Sequence, residues 1–139
     1  MQNSIICHVC LLMFLLVLAA CQPQRADHST RVFTQGPDIS LGLTPGTVPV
    51  ETPLRLQLVS RQPISNITAD VTGVSMYMGV VPLRFQKLST PDSGGAEQWQ
   101  AEFLLGACSD PAMLWQLNVT VQFADGRKLS LKEQFNSSW

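Results

Sequence analysis

Histidine is nearly missing from this chain: two residues, His8 and His28, in 139. That leaves almost nothing for a zinc hydrolase or a Ser-His-Asp triad, since both need imidazole as ligand or proton carrier. Charge is scarce as well, 14% of residues with a formal net charge of −1. A nucleic-acid binder carries a basic patch to meet phosphates, and no such excess exists here. The nine glycines and nine prolines show no collagen-like or linker-like repeat. Sustained helical periodicity and internal repeats are missing too. What the chain does have is apolar content, 45% of residues, which excludes a disordered polymer. The length accommodates one domain.

Much of that apolar content sits at the start. Residues 5–20 are almost uninterrupted hydrophobic sequence, centred on Leu11-Leu12-Met13-Phe14-Leu15-Leu16-Val17-Leu18. The run is short for a membrane span and reads as a signal helix over residues 1–20. Residues 1–4 carry no Lys or Arg, a departure from ordinary signals. The run ends in Leu18-Ala19-Ala20-Cys21, which resembles the lipobox of bacterial lipoprotein precursors. That resemblance implies cleavage before Cys21, a diacylglycerol on its thiol and an acyl chain on its amine. Gln22, where Asp would favour inner-membrane retention in that family, implies an outer-membrane address facing the periplasm. An ordinary secretory signal or an uncleaved anchor would fit the same apolar run. Three Asn-x-Ser/Thr sequons, at Asn66, Asn118 and Asn136, would suggest glycosylation in a eukaryotic secreted protein; the lipobox outweighs them.

Cleavage settles the cysteine arithmetic. Of four cysteines, the resemblance implies that Cys7 and Cys10 leave with the signal and that Cys21 takes lipid, which would leave Cys108 alone in the domain. No intrachain disulfide framework is possible. A single thiol in an oxidising compartment is either buried as a small apolar residue or bound to something.

Residues 21–37 read as a lipidated flexible tether, polar and aperiodic. Residues 38–139 read as one β domain. Leu54, Leu56 and Leu58 alternate with polar neighbours, as do Ile67, Ala69 and Val71, and then Val81, Leu83 and Phe85, where Pro82 marks an edge or a strand start. Trp99, Ala101, Phe103 and Leu105 share a face. The longest alternation runs Met113, Trp115, Leu117, Val119, Val121, Phe123, and Asp125-Gly126 then turns the chain back through Leu129, Leu131 and Phe135. This predicts an all-β fold, an immunoglobulin-like two-sheet antiparallel sandwich of about seven or eight strands with Trp115 central. A small barrel is the alternative.

Two sulfur-bearing clusters stand out. Met76 and Met78, in Val74-Ser75-Met76-Tyr77-Met78-Gly79, would share one strand face about 7 Å apart. Cys108 and Met113 bracket an expected turn. Thioether and thiolate donors select Cu(I), so Met76, Met78, Cys108 and Met113 form a candidate copper site if the fold brings them together. Methionines at alternate positions are also ordinary core filler. His28, in the tether, would reach such a site only by folding back. The order Met76-Tyr77-Met78-Gly79, Pro82, Phe85, Trp99-Gln100-Ala101, Gly106, Met113, Trp115 resembles the FixH/YtkA-like domain group over residues 64–123. Trp99 stands where that group usually has Tyr, and Cys108-Ser109-Asp110-Pro111 falls outside its pattern. The resemblance implies an immunoglobulin-like sandwich, copper handling in the envelope and a protein partner in oxidase maturation. A non-metal scaffold in envelope assembly is the competing reading. Enzyme chemistry is not expected: the acids form no recognisable acid/base pair and Cys108 has no evident general base.

Overall fold

A strand with one face on a core must alternate apolar and polar residues. The computed structural model, which describes residues 27–88 and 94–139, turns that alternation into nine strands. These are β1 (Arg31–Gln35), β2 (Ile39–Thr44), β3 (Leu54–Ser60), β4 (Ile64–Gly73), β5 (Val80–Leu83), β6 (Gln86–Leu88), β7 (Glu97–Phe103), β8 (Leu114–Phe123) and β9 (Lys128–Asn136). The expected signal, Cys21 and part of the tether lie outside the described residues.

The strands form two antiparallel sheets, β1-β2-β3-β7-β6 and β5-β4-β8-β9. Lettering β2 to β9 as A, B, C, C′, D, E, F and G gives the orders A-B-E-D and C′-C-F-G. That is the immunoglobulin strand order, with β1 added outside A. The inner faces meet through Leu41, Leu43, Leu54, Leu56 and Leu58 on one side and Val71, Trp115, Leu117, Val119 and Val121 on the other. Trp115 is 1% exposed, and its indole N–H donates to Ser137 Oγ at 3.2 Å, so the one polar atom it brings inside is satisfied. Among the described residues no buried side-chain nitrogen or oxygen lacks a partner.

Two elements depart from the expectation. Arg31–Gln35, expected in the flexible tether, is strand β1. Phe33 anchors it inward, its ring 5.8 Å from that of Phe135. With five residues and a register shift between Val32 and Thr34, the strand shows no clean alternation to read. The Val81–Leu83–Phe85 alternation is likewise not one strand. β5 ends at Leu83, and the chain then crosses to pair β6 with β7 in the other sheet. Pro82 sits outward on β5, an edge strand, where a missing N–H costs no ladder bond.

The loops gather at the two ends of the sandwich. At one end lie the β2–β3 connection, the β4–β5 loop, the β7–β8 loop and the C-terminus. Glu51 N–H donates to Leu105 O, Ser138 N–H to Val48 O, Ser137 N–H to Met113 O, and Val74 N–H to Leu114 O. The opposite end carries the β1–β2 and β3–β4 turns and the β8–β9 hairpin, where Arg61 N–H meets Asp38 O and Ala124 N–H meets Pro63 O. Gly126, at φ 87°, closes that hairpin, but over a three-residue loop in place of the two-residue turn that Asp-Gly signals: Phe123 N–H donates to Arg127 O and Gly126 N–H to Phe123 O.

Near the opposite end Glu97 ties three segments together. Its carboxylate accepts from Ile64 N–H at 3.0 Å, Trp99 Nε1–H at 3.2 Å and Lys87 Nζ at 2.5 Å. Partial burial raises its pKa, but the Lys87, Ile64 and Trp99 donors outweigh that and hold the carboxyl below its ordinary value. A depressed carboxylate contributes stability that is complete above the unfolded value, about 4.3, and disappears as pH falls through the folded value. Acid titration of unfolding free energy is therefore expected to show a limb below about pH 4.3 that Glu97→Gln flattens. Separately, Trp115→Ala is expected to cost about 3–5 kcal/mol in urea unfolding, because it leaves a cavity between the sheets.

Candidate soft-metal site

β4 leaves its ladder at Gly73, which lies opposite Trp115 on β8. From there the chain bonds to the start of β8 rather than continuing as a strand. Val74 and Ser75 N–H both donate to Leu114 O, at 2.8 and 3.4 Å. Ser75 Oγ accepts Leu114 N–H at 3.1 Å and reaches the Asp110 carboxylate at 3.5 Å. Asp110 in turn accepts Ala112 N–H at 3.0 Å, a side-chain turn that shapes the end of the β7–β8 loop. Asn136 Nδ2 holds Ala112 O at 2.8 Å from β9. These bonds dock the β4–β5 loop on the β7–β8 loop.

That docking brings the two sulfur clusters together. The Cys108 thiol donates to Met76 Sδ at 3.4 Å, although 32 positions separate them. Met76 is 44% exposed, and Cys108 is half-buried. Met78 is half-buried against the core, with its Cε 3.7 Å from where a β-carbon on Gly106 would stand. Met113 is buried, and its Cε occupies the space beside Gly73 that a β-carbon there would need, next to the Met76 carbonyl. So all four sulfur side chains gather around one end of the sandwich, with Met76 and Cys108 on the surface loops and Met113 at the top of the core.

The local conformation differs from the expected one. Met76 and Met78 are not on a strand face; both lie in the β4–β5 loop, outside any strand. The reason is competition for backbone partners: Ser75 Oγ takes the Leu114 N–H that the next rung would offer to Val74, and Ser75 N–H shares Leu114 O with Val74, so the ladder ends after Gly73. His28 lines an open groove of about 1040 Å³ beside Thr47, Pro49 and Trp139, and none of the four sulfur side chains lines that groove. Gly73 and Ser75 make the loop docking possible, yet nothing in their own segment of the sequence marks them. Their importance comes from Met113 and Leu114, distant in the chain.

The donor set is chemically narrow. Among the described residues no three His, Cys, Asp or Glu side chains group to hold a metal ion. Thioether plus thiol is a soft set that suits Cu(I). Cys108 Sγ and Met76 Sδ stand 3.4 Å apart, so both side chains would be available to hold one soft ion. Without a metal, the same pair is a weak S–H···S contact.

No protein-family model matches the chain, and no curated protein matches it. Among solved structures, the chain is similar to a DUF4426 family protein from Pseudomonas aeruginosa PAO1, at 13% identity, 78% of this chain, 94% of that one and a TM-score of 0.51. A cycloalternan-degrading enzyme from Trueperella pyogenes, in complex with cycloalternan, matches at 14% identity and a TM-score of 0.50 over 83% of this chain but 17% of that one. At such identities the likeness shows a β-sandwich fold and nothing about chemistry.

Gly73 gives this arrangement a direct test. A methyl group there collides with the Met76 carbonyl and Met113 Cε, one of them rigid backbone. Gly73→Ala is expected to destabilise the domain by about 1–3 kcal/mol in denaturant unfolding and to shift the methyl NMR signals of Met76 and Met113.

Proposed function

We propose that this chain is a lipid-anchored domain of the bacterial cell envelope that binds Cu(I) through Met76, Met78, Cys108 and Met113 and passes it to a protein partner in respiratory oxidase maturation or copper handling. One observation carries the reading: the 3.4 Å approach of Cys108 Sγ to Met76 Sδ across two loops. A half-buried thiol beside an exposed thioether is a soft donor pair open to an incoming ion. Binding would displace the Cys108 proton, since the thiolate is the ligand. The thioethers are weak, exchangeable donors, so a partner with stronger ligands can take the ion by stepwise ligand exchange. The resemblance to FixH/YtkA-like domains supports the copper assignment. The Leu18-Ala19-Ala20-Cys21 run supports anchoring by acyl lipid on Cys21, with Gln22 favouring the outer membrane.

The alternative is a non-metal scaffold in envelope assembly. Met113 at 1% exposure and Met78 packed on the core are what thioethers used as filler look like.

Titration of the full chain carrying Cys7→Ser and Cys10→Ser, so that the Cys-x-x-Cys pair of the signal takes no copper, with Cu(I) under reducing conditions and against a colorimetric chelator, separates the two. The copper reading expects one ion per chain. Loss of even an outer-shell partner typically costs 10–100-fold in metal affinity, so Cys108→Ser or Met76→Leu is expected to cost at least about 10-fold. A parent protein that takes no copper from the chelator leaves only the scaffold. Incorporation of radioactive palmitate, abolished in Cys21→Ser, checks the anchor independently.

A further inference from the structure

Seven large apolar side chains stand exposed among the described residues, and six of them, Val74, Met76, Tyr77, Val80, Leu104 and Trp139, project from the sulfur-bearing end. Tyr77 is 85% exposed and Trp139 70%. Scattered single apolar residues need no explanation, but this concentration on one end does. The chain enters the fold at the same end. Asp27, the first described residue, is held there by Thr47 Oγ1 at 2.7 Å and by Ser29, whose backbone carbonyl accepts from Gly46.

We infer that this end of the sandwich rests on a lipid bilayer, with Tyr77 and Trp139 at headgroup level. The inference relies on the lipid-anchor half of the proposed function and not on copper. Six residue steps separate Cys21 from Asp27, a reach of at most about 20 Å. A ten-residue strand such as β4 is about 33 Å long. A leash that short, fixed to this end, cannot turn the opposite end toward the membrane. Tyr and Trp are the side chains that settle at membrane–water interfaces, an apolar ring below and a polar atom above. Charge does not drive the contact. Arg31 and Arg55 stand against Asp27, Glu51, Glu102 and Asp110 at this end, with no polybasic cluster for anionic lipid among the described residues. The Cys108–Met76 pair then opens at the bilayer surface, within reach of membrane-embedded proteins.

The test uses the full chain, labelled with palmitate during expression and reconstituted into phosphatidylethanolamine–phosphatidylglycerol vesicles with or without brominated acyl chains, which quench nearby tryptophan. Brominated lipid is expected to lower the emission of the parent, and Trp139→Phe to abolish that loss. In the Trp139→Phe chain, Tyr77→Trp is expected to restore quenching, and Ala124→Trp, at the opposite end, is not. A palmitate-labelled chain with no quenching at Trp139 or Tyr77→Trp overturns the inference, leaves the anchor standing and assigns the patch to a protein partner. Equal quenching at Ala124→Trp overturns it as well. Quenching at Trp139 without palmitate supports the bilayer contact and removes the anchor reading.

Discussion

The apolar layer between the two sheets carries this domain, because nothing covalent substitutes for it. The described residues hold one cysteine, Cys108, and it is free. Immunoglobulin domains of antibodies pin their sheets with a disulfide between strands B and F. Here the corresponding strands, β3 and β8, face each other through Leu56, Leu58, Leu117 and Val119 instead. β8 is the centre of that layer. Every second residue from Trp115 to Phe123 points inward, and it pairs along its length with β4 and β9. A one-residue slip of β8 would turn that whole set toward solvent, which is why its register is strongly specified.

With the sheets fixed in this way, their ends become places where loops can be positioned by a rigid frame. The β4–β5 loop is a clear instance. Ser75 and the backbone of Val74 bond to Leu114, so the loop inherits its position from the start of β8. The glycine at position 73 lets Met113 and the Met76 carbonyl close over the top of the core. The thiol–thioether contact is a consequence of this packing and does not depend on any regular element of its own.

The same end unites three features that have no necessary connection in a sandwich: the soft donor pair, the exposed aromatic and aliphatic tips, and the entry of the chain from its N-terminal segment. A sandwich has two ends, and the one away from the chain entry has few exposed apolar side chains among the described residues and a well-bonded network around Glu97. Structural similarity to a DUF4426 protein and to part of a cycloalternan-degrading enzyme adds no preference among functions, because the fold supports many.

The sequence by itself determined the all-β class, the inward place of Trp115 and a turn at Asp125-Gly126, because a period of two and a Gly-bearing turn are local properties of the chain. It favoured two packed sheets but left a small barrel open, and the tertiary structure decided for the sandwich. The sequence also placed sulfur in two segments worth comparing. It did not reveal β1, whose inward anchor Phe33 meets Phe135 from the far end of the chain. Nor did it reveal the crossing of the chain between Leu83 and Gln86 from one sheet to the other. Whether Met76 would meet Cys108 was decided only by tertiary structure. That contact rests on Gly73 clearing space and on Ser75 bonding to Leu114, pairings between distant segments that no periodicity in either segment encodes.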